Sequence, residues 1–277
     1  MNKIIATDLD GTLFYPKDRR NIICKENLFF IQSFIDNGGK LVIVSGRSLL
    51  YGKKVQKVID RDIDIIAFNG GCIYSNNQII DSNIVDNQEA ESIINDIFND
   101  YRVMCVTLMC EDGMYIKARD DSKFIGFLYK IYYKFQKQYA EKSFFKKKEY
   151  DYALKNKKIF KILVVFGLTP KCNKRAEEAT KVLNNTYSNI EAAWTSVAVE
   201  ITTKDVSKGQ AIEKYCEINK LNKDDVYVVG DSGNDISMFK KFHEHSFAMK
   251  KAPASVKRFS KYVINKFEDL SRYIYEK

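Results

Sequence analysis

The chain has 277 residues, 45% hydrophobic and 29% charged, with a formal net charge of +9; this suits one large or two medium domains with real cores. No apolar run approaches the roughly 20 residues of a membrane helix, and the apolar stretch after Lys3 meets Asp8 too soon for a signal peptide, so a soluble, cytoplasmic protein is expected. Six cysteines without Cys-x-x-Cys spacing argue against zinc or a disulfide framework and for reduced, mostly buried thiols.

The excess charge is local. Twelve lysines and three acidic residues lie between Lys123 and Lys161, a net equal to that of the whole chain. Such a stretch can bind RNA or another polyanion, but most often it is a solvated face.

From the amino end, Lys3 to Thr7 reads as a buried strand running into Asp8-Leu9-Asp10-Gly11-Thr12. Two carboxylates one residue apart on extended chain point the same way and repel unless a cation lies beside them. A hard divalent ion such as Mg²⁺ would serve, since it takes oxygen ligands and keeps waters that a phosphate can replace. One carboxylate could then attack phosphorus while the other handles protons. Taken alone, the same stretch also reads as a carboxylate-rich turn.

Lys25 to Ile35 has helical spacing, with Leu28, Ile31 and Ile35 on one face, and Asn37-Gly38-Gly39 stops it. Strand 41–44 follows. Ser45-Gly46-Arg47 then opens a second helical stretch, where Ser45 can seat a phosphate or merely cap the helix. Ile63 to Phe68 reads as a strand ending at Asn69-Gly70-Gly71, and Asn76-Asn77 joins a hairpin.

Residues 82–190 read as an inserted second domain. It has a helix over 89–98, strands at 103–108, 114–116 and 160–166, and a helix over 175–183. Phe124, Phe127, Leu128, Ile131 and Phe135 share a helix face, read as core in preference to a stacking platform for bases. From 191 the chain returns to the first domain, with a strand at Ala198–Ile201. Ser207 is a good N-cap for a helix opening at Lys208, although a lysine is disfavoured there unless an anion offsets it. Strand 226–230 leads into Asp231-Ser232-Gly233-Asn234-Asp235. A strand at 262–264 and a helix over 268–274 close the chain.

Taken together, the Asp8–Thr12 stretch, Ser45-Gly46, Ser207-Lys208-Gly209 and Gly230-Asp231-x-x-Asn234-Asp235 resemble the haloacid dehalogenase-like superfamily, in particular its Cof-type sugar phosphatases. Asn69-Gly70-Gly71 and the Glu200-Ile201 pair add to the likeness. The resemblance implies an α/β fold: a doubly wound, Rossmann-like parallel-sheet core (1–81 plus 191–277) carrying an inserted α/β cap domain (82–190). It implies a Mg²⁺-dependent hydrolase of small phosphorylated metabolites, sugar phosphates first, working through an aspartyl-phosphate. Asp8 would be the nucleophile and Asp10 the acid and base. Asp8, the Asp10 carbonyl and Asp231 would hold the metal. Ser45, Gly46, Lys208 and Asn234 would contact phosphate, Asn69 and Gly70 would border the substrate, and Asp235 would orient its neighbours. Neither membrane nor nucleic acid is an expected partner. A phosphomutase with the same site, or a polyanion-binding protein acting through 123–161, are the alternatives.

Overall fold

The computed structural model describes residues 3–18, 20–119, 140–167, 169–195 and 198–275. The strands of its first half are β1 Ile4–Thr7, β2 Lys40–Val44, β3 Asp64–Ala67, β4 Cys72–Ser75, β5 Gln78–Ser82, β6 Cys105–Cys110 and β7 Gly113–Ala118. Those of its second half are β8 Ser143–Phe144, β9 Ile159–Val165, β10 Ile190–Thr195, β11 Ala198–Thr203, β12 Val226–Gly230, β13 Ser246–Met249 and β14 Tyr262–Ile264. The main described helices are α1 Lys25–Asp36, α2 Leu49–Ile59, α3 Asn87–Asp100, α4 Lys147–Asn156, α5 Pro170–Thr186, α6 Lys208–Ile218 and α7 Ile236–Lys241. They divide into two compact units, Met1–Asp81 with Val206–Lys277, and Ser82–Asp205.

The first unit is built on an eight-stranded sheet in the order β14-β13-β12-β1-β2-β3-β4-β5. From β14 to β3 the pairs are parallel, and β4 turns antiparallel to β3. The apolar runs of β1, β2 and β12 are buried at almost every position, as parallel strands covered on both faces require. On one face Ile4, Ala6, Val42, Val44 and Val228 pack with Ile212, Tyr215, Met238 and Phe239 of α6 and α7. On the other, α2 comes so close that a Cβ on its Gly52 would lie 2.6 Å from Ile65. The order of winding reverses between β1 and β12. In doubly wound sheets ligands bind beyond the carboxyl ends of the strands at such a point.

The second unit has a six-stranded sheet in the order β10-β11-β9-β6-β7-β8. Its pairs are antiparallel except β7 with β8. Ile93 and Ile97 of α3, Tyr150 and Leu154 of α4, and Ala179 and Leu183 of α5 form one core with Val106, Leu108, Ile162, Val164 and Ile201 of the sheet.

Three readings of the sequence need correction, and one lies beyond the described residues. The strand at Ala198–Ile201 does not return to the core. It is β11, paired with β9 (Val199 opposite Val164) and with β10. The inserted unit therefore ends at Asp205, not at residue 190. The alternation of apolar residues identifies a strand, but its partner is fixed by register with chain elsewhere. The second helix opens at Leu49, capped by the Ser48 side chain, and not at Ser45. The buried face of α1 is Asn27, Phe30, Ile31 and Phe34, with Leu28 and Ile35 only half-buried. Asn27 turns that face inward by donating to the carbonyls of Leu13 and Tyr15, each at 2.9 Å. The proposed helix face through Phe124 and Phe135 lies outside the described residues. All six cysteines are free thiols, and five are buried.

Candidate active site

Asp8 leaves β1 at the switch point, where its N–H donates to the Val229 carbonyl at 2.9 Å. The next residues make one wide turn, Leu9–Leu13, in which Gly11 has φ 85°. A Cβ on Gly11 would sit 2.3 Å from Asp231 Oδ2. Glycine thus supplies both the left-handed backbone and the room for a second carboxylate to approach. The Thr12 hydroxyl donates to Asp231 Oδ1 at 3.2 Å, which ties the turn to the end of β12.

Lys208 is the first residue of α6 and is fully buried. Its ammonium donates to Asp8 Oδ1 and to Asp235 Oδ1, both at 2.6 Å. These anions are the partners that a lysine at a helix N-terminus lacks on the sequence alone. The other oxygen of Asp235 accepts from the backbone N–H groups of Asp231 and Ser232, both at 2.8 Å. Asp235 has both oxygens committed, so it fixes the loop and the lysine.

The electrostatics show what this cluster lacks. Burial pushes the Asp8 carboxyl up to about 7; Lys208 pulls against the shift, and Asp235 and Asp231 reinforce it. Asp231 is also raised, by burial first and then by Asp235, with Lys251 opposing from 3.9 Å. Burial works against the Lys208 ammonium, but Asp235 and Asp8 overcome it and hold the amine above the usual lysine range. Oxygens of Asp8, Asp231 and Asp235 lie within 4.8 Å of one another, and a single buried ammonium stands among them. That donor set is all oxygen and short of positive charge, which fits a hard divalent cation such as Mg²⁺.

The phosphate-contact candidates lie in a second group. Ser45 is buried, its carbonyl accepts from the Asn69 N–H at 2.9 Å, and its hydroxyl accepts from the Arg47 N–H at 3.3 Å. Asn69 has φ 59° and accepts from Asn234 Nδ2 at 3.0 Å. A Cβ on Gly46 would meet the Asn69 carboxamide at 2.9 Å. Ser45, Gly46, Asn69 and Asn234 are therefore joined by direct contacts. Gly70 has a packing reason of its own: with φ 115°, it sits where a Cβ would lie 2.6 Å from the Ser207 carbonyl.

On the sequence, Arg47 could assist the site or pair on the surface, and it stands outside the core set of candidates. Its guanidinium grips the Asp10 carboxylate with both arms, at 2.5 and 2.7 Å, and stacks on Tyr51 with 4.2 Å to the ring centroid. The available signal was its place directly after Ser45-Gly46. The half-exposed Asp10 side chain is thus held apart from the Asp8–Lys208 pair by its own partner.

The haloacid dehalogenase-like hydrolase family matches residues 5–271, and the chain belongs to that family. It is an enzyme of the phosphatase class. One relative is the 5-amino-6-(5-phospho-D-ribitylamino)uracil phosphatase YwtE of Bacillus subtilis. It is 28% identical over 279 residues, covering 94% of this chain and 92% of that protein. A haloacid dehalogenase-like hydrolase from Bacteroides thetaiotaomicron superposes with a TM-score of 0.80 at 17% identity, over 99% of this chain and all of that one. A HAD/COF-like hydrolase from Plasmodium vivax gives a TM-score of 0.78 at 23% identity, over 99% of this chain and 95% of the other. The two structures carry the likeness of fold.

Proposed function

We propose that the protein is a Mg²⁺-dependent phosphatase of small phosphorylated metabolites, sugar phosphates first, acting through an aspartyl-phosphate on Asp8. The observation that carries this reading is the Asp8–Lys208–Asp235 chain beside Asp231 at the switch point of the sheet. Asp8, Asp231 and the backbone carbonyl of Asp10 would hold the ion. When bound, Mg²⁺ supplies charge that offsets repulsion between carboxylate and phosphate.

An Asp8 oxygen attacks phosphorus while the bond from phosphorus to the leaving oxygen breaks. Asp10 gives its proton to that oxygen, releasing the alcohol. Asp10 then takes a proton from water, the water oxygen attacks phosphorus, and the bond to Asp8 breaks to give free phosphate. Lys208 orients Asp8 and offers its charge to the phosphoryl oxygens, with Asp235 holding the ammonium in place. Ser45 and Asn234 position the phosphoryl group, with Gly46, Asn69 and Gly70 shaping the backbone around it. Arg47 holds Asp10 by two hydrogen bonds, so Asp10 must leave this pairing to reach a leaving group. We assign choice of the leaving group to the inserted unit. Because one relative is a 5-amino-6-(5-phospho-D-ribitylamino)uracil phosphatase, phosphorylated ribityl compounds join sugar phosphates in the first substrate panel.

The test is phosphate release from a panel of phosphorylated sugars, ribityl compounds, pyridoxal phosphate and flavin mononucleotide, with Mg²⁺ and with chelator, for wild type and Asp8→Asn. Mg²⁺-dependent release that Asp8→Asn abolishes is the expected result. Release that survives Asp8→Asn would overturn the assignment of the nucleophile, and transfer to a second hydroxyl without free phosphate would make the enzyme a mutase.

A further inference from the structure

The rim of the Asp8 cluster carries a second lysine, Lys251, with no part in the hydrolysis outlined for Asp8 and Asp10. Strands β12 and β13 run parallel, with Gly230 opposite Ala248, so the turn after β13 stands beside Asp231 at the carboxyl edge of the sheet. Two backbone hydrogen bonds fix that turn. The Lys250 N–H donates to the Ile264 carbonyl at 2.7 Å, and the Ala252 N–H donates to the Met249 carbonyl at 2.9 Å. Lys251 lies between them. Its ammonium stands 3.9 Å from Asp231 Oδ2 and 4.2 Å from the centroid of the Tyr15 ring.

Tyr15 is itself held in place. Its N–H donates to the Thr12 carbonyl at 3.1 Å, and its carbonyl accepts from Asn27 Nδ2 at 2.9 Å. The ring is therefore a fixed rest for a cation beside the site. Lys208 differs on each count: it is fully buried, and it donates at 2.6 Å to both Asp8 and Asp235. The Lys251 side chain is 36% exposed, and its separation from Asp231 is beyond hydrogen-bond reach. It brings a point charge on a flexible stem, so the ammonium can reorient while the turn beneath it stays fixed.

Charge decides when Lys251 is useful. With its carboxylates ionised, the cluster of Asp8, Asp231, Asp235 and Lys208 carries two negative charges in excess. A divalent metal ion cancels them, and Lys251 then adds a positive charge with nothing to balance. A phosphate monoester brings close to two further negative charges, and one of these is left for Lys251. The same ammonium therefore opposes the metal alone and favours metal and phosphate together.

We propose that Lys251 is a further substrate-binding residue, a movable counter-charge that pairs with Asp231 while no metal holds that carboxylate and passes to the phosphoryl group once metal and phosphate are bound. It makes the two ligands bind cooperatively, and Tyr15 keeps the ammonium at the rim between its two partners. The inference rests on the Mg²⁺-phosphatase reading of the same site and adds to it a residue and a coupling.

The experiment is titration calorimetry on the full chain with two probes, Mg²⁺ alone and inorganic phosphate in saturating Mg²⁺, for wild type, Lys251→Met, Lys251→Arg and Asp231→Asn. Lys251→Met removes the charge and keeps most of the stem. It should bind Mg²⁺ about threefold more tightly and phosphate about three- to tenfold more weakly, the size expected of a partly exposed charge near the ligand. By reciprocity, the factor by which phosphate tightens Mg²⁺ falls as much as the factor by which Mg²⁺ tightens phosphate. Lys251→Arg restores the charge and should keep both affinities within about twofold of wild type. A merely structural role would weaken both ligands or neither. Shifts of the two affinities in one direction, or of neither, would therefore overturn the proposal; if Asp231→Asn still loses Mg²⁺, the phosphatase reading stands. No Mg²⁺ binding by the wild type would overturn both.

Discussion

Two buried lysines, one in each unit, carry different messages. Lys208 is fully buried between Asp8 and Asp235, with Asp231 close by. Lys161 of β9 is 5% exposed and pairs with Glu200 of the adjacent β11. The second arrangement is balanced: one cation, one anion, and nothing further required. The first has three carboxylates around one ammonium, so it stays short of positive charge. A balanced buried pair reads as structure, whereas an unbalanced cluster at a switch point reads as a place for a cation and a charged substrate.

The most severe test of that contrast is Asp8→Asn. The substitution keeps the size of the side chain and removes the attacking carboxylate. Phosphate release should fall at least about a thousandfold, some 4 kcal/mol of barrier at 1.36 kcal/mol per decade, as read by kcat on the best substrate of the panel. Lys208→Met comes next. It leaves two buried carboxylates facing each other without their cation, a loss of about 3–5 kcal/mol of stability. Denaturant unfolding in chelator measures it, and turnover should drop at least a hundredfold because Asp8 loses its partner.

Acidity separates the two sites further. In the metal-free protein Asp8 is raised from 3.8 to about 7. The folded state therefore binds a proton that the unfolded chain has released, and stability is greatest below about pH 4 and lost as pH rises through 7. At 1.36 kcal/mol per pH unit the loss is up to about 4 kcal/mol. Thermal unfolding in chelator at pH 5 and pH 8 would show it as a lower Tm at the higher pH. Mg²⁺ should restore Tm at pH 8 far more than at pH 5, because it binds the ionised carboxylate. A Tm in chelator that rises from pH 5 to pH 8 would remove the argument that the cluster lacks a cation.

The balanced pair predicts a different pattern. Lys161→Met alone should cost about 2–3 kcal/mol, below the 3–5 kcal/mol of a fully buried pair, since Glu200 keeps 27% of its side-chain exposure. The double substitution Lys161→Met with Glu200→Leu should recover most of that loss, to within about 1 kcal/mol of wild type. A double-mutant cycle by urea unfolding measures the coupling. No such paired replacement exists for Lys208, because removing either acid leaves the other two.

The same contrast explains what the sequence made legible. Asp8, Lys208, Asp231 and Asp235 stand beside strand ends or helix starts that local pattern identifies, but it was the resemblance of the four stretches, taken together, to one family that implied a common cluster. Arg47 escaped because its role rests on a contact with Asp10, 37 positions earlier, which no local periodicity encodes. The unit boundary escaped for a related reason. β11 has the alternation of a half-buried strand whichever sheet it joins, and only its register with β9 and β10 decides.

A third kind of lysine sets the lower bound of the comparison. Lys146, Lys147 and Lys148 are exposed at the start of α4, where the one ion pair they make among the described residues is a 3.9 Å contact from Lys146 to Glu149. Cations there oppose the helix dipole, so Lys147→Glu with Lys148→Glu should stabilise the protein by about 0.3–1 kcal/mol. Phosphate release from a small substrate should be unchanged at physiological salt, where charges more than about 8 Å apart are largely screened. A heparin or RNA titration against salt, run on both proteins, decides whether these lysines do more than solvate a face. A polyanion affinity that falls steeply with salt in the wild type and loses about two units of slope in the variant would assign them a binding role. Equal, weak retention of both proteins would leave the unbalanced cluster around Lys208 as the one place where a lysine of this set serves function.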